Sequence, residues 1–546
     1  VAGCRKNPTS PSRVVIATTQ EPDALLPWFA ESVAAHQVTE AVSRSLTQYD
    51  RQWRLVPALA TSLPSLANGS VVPLDEAGRP VADPARAAKM RVTWKLRPEA
   101  AWADGTPVTA ADFLFAHDVL MDPTQEVRDR SKAQKVERME APDPHTLVVT
   151  WREPYAFFAA YRNHPLLPAH AMASSFRPDG GRTRNLKESP FLRAPLGFGP
   201  FRVAEWKPGQ FIRLLKNPHA YAPPRLEEVV WQFVPSDVGA VAKLEAGEVD
   251  AIAPDGSVGV DLLEDLARRR PGEFVVDVQP GMLWAHLDVN LGDPWLKDRR
   301  VRQALAHALS REGAVRAVFK GRYQVSHALF PPLHQGHAEG LPTYPHDVER
   351  ANLLLDQAGL ARGPNGMRAD AAGTPVELHV AYATGVKTTE DLLQVFQQDL
   401  RGVGISLRLM GYPVKVFFGD VLKNRKARHL AFYAWSLDPM SYGETLLAST
   451  AIPSEDNGWV GQNYPGYVNP VADDLIARVP RTLEPAPRRE LLQRINRLVA
   501  EDLPMVPVYY RPVVSVTRRG LEQWAPTGTP TSVSWNCEGW ALPAAP

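Results

Sequence analysis

The sequence predicts an α/β protein built of several subdomains, and three observations carry that prediction. Through residues 376–435 the periods alternate: strands over 376–382, 405–410 and 429–435, with a helix over 388–401. That order builds a sheet covered by helices. A helix over 238–248 runs directly into Val249-Asp250-Ala251-Ile252, a helix-to-strand connection of the same type. The chain's 546 residues also exceed what one core sustains, and predict roughly three to four domains or subdomains.

The remaining elements follow in order. Residues 13–19 form an apolar strand, and a turn-rich segment with Pro22 and Pro27 leads to a helix over 31–46 with Val38, Ala41, Val42 and Leu46 on one side. Residues 63–90, rich in Pro, Gly, Ala and Asp, predict a surface insertion loop or small hairpin. Val92, Trp94 and Leu96 alternate with Thr93 and Lys95 as a half-buried strand, and Asp104-Gly105 marks a turn. Thr109 then caps a helix with Asp112 in its first turn and Phe113, Ala116, Val119 and Leu120 on its apolar face, ending before Asp122-Pro123. A strand over 145–151 precedes Tyr155, Phe157 and Phe158, and a hairpin pairs 201–206 with 211–215 around Lys207-Pro208-Gly209-Gln210. Further strands span 227–235, 284–290 and 506–516, and further helices 347–359 and 488–500. Within 298–321, Val301, Leu305 and Ala308 share a helix face, Ser310 is placed to cap a second helix and Gly321 to stop it.

Composition narrows the function. Lys+Arg 61 against Asp+Glu 60 leaves a formal charge of +1, which argues against nucleic acid as a partner because such binding rests on a basic surface. Hydrophobic residues make up 44 %, with no run of the ~18 apolar residues a membrane span requires. The 51 prolines are scattered, the mark of many stiffened loops in a folded chain. Two cysteines, Cys4 and Cys537, make neither a disulfide framework nor a metal or redox motif.

Motifs for catalysis are missing. The nearest approach to a nucleophile elbow, Asp255-Gly256-Ser257-Val258-Gly259, has Asp where the first Gly belongs. No H-E-x-x-H, Walker A or G-x-G-x-x-G pattern occurs. His327, His334, His337 and His346 fall on a Pro-rich loop whose irregular spacing fixes no coordination geometry, so solvated loop histidines are expected, with a metal site as the runner-up.

Five blocks carry a family resemblance: KLRPEAAWADGTPVTAADFLFAHDVLMDP from Lys95, GFGPFRVAEWKPGQFIRLLKN with the following Pro218-His219-Ala220-Tyr221, KLEAGEVDAI, VRQALAHALSRE and DVERANLLLDQAG. They resemble the signatures of the family 5 extracellular solute-binding proteins of ABC transporters, which include peptide, dipeptide, nickel and opine receptors. The resemblance spans about 14–516. It implies an α/β, two-lobed periplasmic-binding-protein fold with hinge strands and an extra α+β subdomain. Lobe I would comprise 13–46, 190–282 and 508–546, the extra subdomain 47–189, lobe II 283–507, and a tether 1–12.

The function implied is a monomeric extracytoplasmic receptor that captures a ligand, a peptide on the branch most resembled, and delivers it to an ABC importer permease. A non-peptide solute such as a metal chelate, opine or glycoside is the alternative, and an enzyme on this scaffold, disfavoured by the missing motifs, is the remoter one. Neither a cofactor nor enzymatic turnover is implied. Val1-Ala2-Gly3-Cys4 looks like the end of a bacterial lipobox, making Cys4 a lipidation site and the lipid the only membrane contact. A chance match, or a disulfide from Cys4 to Cys537, is the plain alternative.

The ligand site is expected around 429–439. In the peptide-binding branch the equivalent strand ends in a Trp followed three residues later by an Asp that pairs with the peptide's α-ammonium, and Trp435 and Asp438 keep that spacing. A carboxylate in a water-poor cleft offers such a cation hydrogen bonds and attraction. The plain alternative is an Asp-Pro turn beside a packing Trp. Tyr433 and Trp284 are further aromatic candidates, and 30–33 matches a loop supplying extended backbone contacts, with Glu31 and Val33 as the contacts. Two departures stand out: a single acid precedes Pro439, and Phe432 stands where an oligopeptide receptor has an Arg near the bound chain.

Overall fold

A computed structural model describes residues 12–543 except 27–28, 31, 128–129, 161–165, 177–185, 255–257 and 529–532. The chain divides into two compact units, Val1–Gln279 with Val513–Pro546, and Pro280–Pro512. It leaves the first inside strand Phe274–Val289 and returns inside strand Met505–Arg518.

In the first unit, strand Arg13–Thr18 is the middle of a sheet. It runs parallel to Glu228–Phe233, with Ile16 opposite Trp231, and parallel to Ala251–Ile252 on its other side. The hairpin Phe201–Lys207 and Phe211–Lys216 extends one edge, while Ala251 pairs antiparallel with Thr517. Because side chains alternate along a strand, Val14 and Ile16 join Val38, Val42, Ile212, Leu214 and Trp231 on one face. Val15 and Ala17 join Ala240, Leu244, Leu263 and Leu266 on the other. The acid of the KLEAGEVDAI block clamps this sheet: Asp250, fully buried, accepts the Val15 N–H at 2.9 Å and lies 3.8 Å from the Arg518 guanidinium. Burial raises its pKa.

The expected helix over 31–46 is confined to Val33–Val42. Ser43 turns extended, and Thr47–Tyr49 starts a short hairpin with Leu55–Pro57. Gly197 explains the close of this region, since a Cβ there would lie 2.1 Å from the Val42 carbonyl oxygen. A second, antiparallel sheet orders Val71–Leu74, Lys89–Lys95, Thr146–Trp151 and Val136–Asp143. Residues 63–90 thus supply a sheet strand, whose Val71 and Leu74 are buried. Helix Ala110–Met121 follows Thr109 as expected. The Asp112 carboxylate accepts the Thr109 N–H at 2.9 Å and the Ala169 N–H at 3.0 Å, with the Trp102 indole nitrogen 3.4 Å away.

In the second unit the strand order is Ser406–Tyr412, Glu377–Ala383, Leu430–Ser436 and the Leu283-to-Val289 part of Phe274–Val289, the last pairing being antiparallel. One face packs Leu287, Val289, Leu430 and Phe432 against the helices Arg299–Ala308, Val348–Gln357 and Lys387–Gly402 through Leu305, Leu355 and Phe396. Ser310 does not cap the next helix with its side chain. Its hydroxyl and N–H both go to Asp399, at 2.7 and 2.8 Å, so it ties two helices together instead.

Candidate functional site

The opposite face of the second unit's sheet carries the predicted aromatic residues. The antiparallel register sets Trp284 opposite Trp435, His286 opposite Tyr433 and Asp288 opposite Ala431. Directly opposed residues project to the same side, so W-x-H-x-D of one strand meets A-x-Y-x-W of the other. Phe417, Val421 and Leu422 close over Tyr433 from a π-helical segment, Phe417–Leu422, and Trp435 and Tyr464 pack at the margin.

Trp284 is fully buried, and its indole N–H donates to Ser326 Oγ at 3.0 Å. Its ring stacks on His286 with centroids 4.2 Å apart, and His286 meets the Tyr433 ring at 4.6 Å. The Tyr433 hydroxyl donates to Asp288 Oδ2 at 2.7 Å. Burial first, and then the Asp288 carboxylate, raise the Tyr433 pKa well above its ordinary value. Tyr433 presents its ring at steep angles to Trp435, Phe418 and Tyr464, at 6.3, 6.2 and 6.4 Å, the edge-to-face arrangement that aromatic quadrupoles favour. Of this group Trp435 is only half-buried and Phe418 is 44 % exposed.

Three residues past Trp435 the chain turns. Asp438 is exposed, its Oδ1 accepts the Met440 N–H at 2.6 Å, and its own N–H donates to Ser441 Oγ at 2.9 Å. Among the described residues Oδ2 has no protein hydrogen bond. The Asp-Pro turn is therefore real, and it leaves one carboxylate oxygen for a donor from outside.

The other predicted residues fall elsewhere. Val33, in the first unit, is the first residue of a helix capped by Ser32, whose hydroxyl accepts the Ala35 N–H at 3.1 Å. Its carbonyl enters the helix ladder, so only its N–H is left to offer, and the extended backbone expected at Val33 is absent. Glu31 and Cys4 lie outside the described residues. Cys537 is a buried free thiol 3.6 Å from an Arg44 guanidinium nitrogen, and burial raises its pKa beyond its ordinary range.

Of the loop histidines, His334 is buried, stacks on Phe330 at 4.2 Å and accepts the Gly336 N–H. Burial lowers its pKa to about 3. The solvated state expected for this loop holds for exposed His346 and fails for His334. Among the described residues no group of three or more His, Cys, Asp or Glu converges as a metal site.

Sequence reasoning missed His286, Asp288 and Phe418. The period-2 spacing of Trp284, His286 and Asp288 was available as a signal for a shared face. Nothing local signalled Phe418.

The fold is an α/β scaffold with a half-buried aromatic strand end followed by an acidic turn, and the class of protein is given by the family that the chain matches. The chain belongs to the bacterial extracellular solute-binding proteins, family 5, whose profile matches residues 54–454. It is 24 % identical over 520 residues to the glutathione-binding protein GsiB of Escherichia coli K12, covering 93 % of this chain and 91 % of that one. The oligopeptide-binding protein of Thermus thermophilus, solved with a pentapeptide, matches at TM-score 0.72 and 25 % identity, over 97 % of this chain and 96 % of that one. NikZ of Campylobacter jejuni, solved with Ni(L-His), shares the fold at TM-score 0.75 and 21 % identity, over 98 % and 100 % of the chains. The protein is accordingly a solute-binding receptor of an ABC transporter, in a family that works outside the cytoplasm. Among the described residues no helix is long and apolar enough to cross a membrane.

Proposed function

We propose that this receptor takes peptides, with the α-ammonium of the ligand on Asp438 and its chain against Trp435. The observation that carries the reading is the free Oδ2 of Asp438 in a turn just past the half-buried Trp435. An ammonium can donate to that oxygen without breaking the turn, and a charge-assisted bond of this kind is stronger than a neutral one. Peptide binding by the Thermus thermophilus protein, and glutathione binding by GsiB, support the ligand class. Tyr433 and Trp284, both buried, back this contact, while Glu31 and the Val33 N–H are proposed as contacts from the first unit.

In this proposal the receptor makes and breaks no bond. It is a monomer that closes by a hinge along the two strands linking its units, the 283–507 region moving as lobe II and 47–189 acting as scaffold within lobe I. Closure requires the ligand to bind the closed state more tightly. A permease of an ABC importer receives the closed form, and a lipid on Cys4 holds the receptor at the membrane.

Native mass spectrometry of the purified protein tests the ligand class. Co-purified masses spaced by amino-acid residues are expected; one discrete non-peptide mass supports a chelate, opine or glycoside receptor, and turnover of the bound species overturns the binding reading. Asp438→Ala is expected to weaken peptides with a free α-amino group about tenfold or more and N-acetylated peptides little. Equal losses in isothermal titration remove the ammonium role.

A further inference from the structure

The pair His286 and Asp288 lies behind the proposed contact, buried to 0 and 4 % exposure. His286 Nδ1 is 3.2 Å from the Trp284 carbonyl oxygen. A carbonyl only accepts, so Nδ1 carries the hydrogen. The other ring nitrogen, Nε2, sits 3.3 Å from Asp288 Oδ1, while Oδ2 already accepts the Tyr433 hydroxyl at 2.7 Å. A bare nitrogen lone pair facing a carboxylate oxygen repels it, and an unpaired buried carboxylate is strongly disfavoured. One additional proton between Nε2 and Oδ1 turns the repulsion into attraction and leaves the pair neutral. The titratable neighbours are Tyr433 and Tyr464, with Arg425 and His429 lining a cavity of about 20 Å³ that Asp288 shares with Tyr464.

We propose that His286 and Asp288 are positioning residues for ligand capture, holding a shared proton that fixes Tyr433 and, through its ring, Trp435. This rests on the reading that Trp435 touches the ligand. Tyr433 has one polar atom, and Asp288 holds it; the shared proton would tie His286 Nε2 to Asp288 Oδ1, two buried atoms that otherwise have no hydrogen-bond partner among the described residues, and the His286 ring lies between Trp284 and Tyr433. Trp435 has Tyr433 as its ring partner on this face. Removing Asp288 takes away the bond that fixes the Tyr433 hydroxyl, leaving its ring held by packing against Phe417, Val421 and Leu422, and the face it offers Trp435 is less firmly set. Asn at 288 is the informative replacement: its carbonyl accepts from Tyr433 and its amide donates to Nε2, so it restores the geometry without the additional proton.

The test is imidazole and indole ¹⁵N–¹H NMR on the full chain without ligand, with His286 assigned through His286→Gln and Trp435 through Trp435→Phe. A protonated Nδ1 and a proton-sharing Nε2 are expected at His286, with Nε2 moving to its unprotonated position in Asp288→Asn; an Nε2 already unprotonated in the unaltered chain overturns the shared proton. The Trp435 indole signal should move in Asp288→Ala and Tyr433→Phe and stay in place in Asp288→Asn. An unprotonated Nδ1, or a Trp435 signal unmoved in both Asp288→Ala and Tyr433→Phe, overturns the inference. Should Asp288→Ala fail to fold, Tyr433→Phe and Asp288→Asn carry the same comparison. Co-purified peptide in Trp435→Ala separates the two readings. Retention there overturns the contact at Trp435, whereas its loss alongside an unmoved signal in the other variants overturns only the positioning.

Discussion

Asp112 in the first unit and Asp288 in the second are each 4 % exposed, yet their shortest hydrogen bonds come from different kinds of donor. Asp112 accepts backbone N–H groups from Thr109 and Ala169. Among the described residues the polar groups next to Asp288 are side chains: the Tyr433 hydroxyl bonds to it and the His286 ring nitrogen lies 3.3 Å away. Backbone donors lock an acid into the course of the chain, so Asp112 belongs to the architecture of its helix start. Side-chain donors can be exchanged or repositioned without redrawing the fold. Burial alone therefore does not tell the two acids apart, whereas the kind of partner each keeps does.

The largest effect should come from Asp112→Ala, which strands two backbone donors and costs about 3 kcal/mol in urea unfolding. A variant that stays stable but loses its co-purified ligand would break the contrast between the two acids. Acidification should weaken the second unit next. Burial lowers the His334 pKa to about 3 from 6.5, and burial lowers that of His429 to about 4. Unfolded chains therefore bind protons that the folded state refuses, so stability is full above pH 6.5 and falls as the pH drops toward those values. His334 alone accounts for about 2 kcal/mol at pH 5. His334→Gln should flatten that part of the pH profile, and an unchanged slope removes the assignment. Phe418→Ala, at the exposed end of the aromatic group, should cost no more than about 0.5 kcal/mol. Calorimetry checks this, and a larger loss would make Phe418 part of the core.

Much of the first unit was legible because its signals are local. The Thr109 start, the Asp104-Gly105 turn and the hairpin around Pro208 are each written within a few residues, and local chemistry decides them. Strand Val136–Asp143 was not legible: among the described residues it pairs with Thr146–Trp151 alone, and its bulged course, exposed at half its positions, erases the alternation that marks a half-buried strand. At the candidate site, Trp284, Tyr433 and Trp435 were legible as aromatics near strand ends. Their companionship was not, because the register that sets Trp284 opposite Trp435 and His286 opposite Tyr433 joins strands far apart in the chain. The bond from Tyr433 to Asp288 is diagonal and spans 145 positions, and no pattern within either strand announces it.

The first unit is completed by its last segment. Val533, Cys537 and Trp540 lie in the same core cluster as Val14 and Trp231, Thr517 pairs with Ala251, and Arg44 bonds to the Trp535 carbonyl and Glu538. The second unit, Pro280–Pro512, is by contrast one uninterrupted stretch. Being continuous, it can finish folding before the first unit has its closing residues in place. Truncation a few dozen residues short would therefore spare the later-made unit and leave the earlier-made one open to proteases.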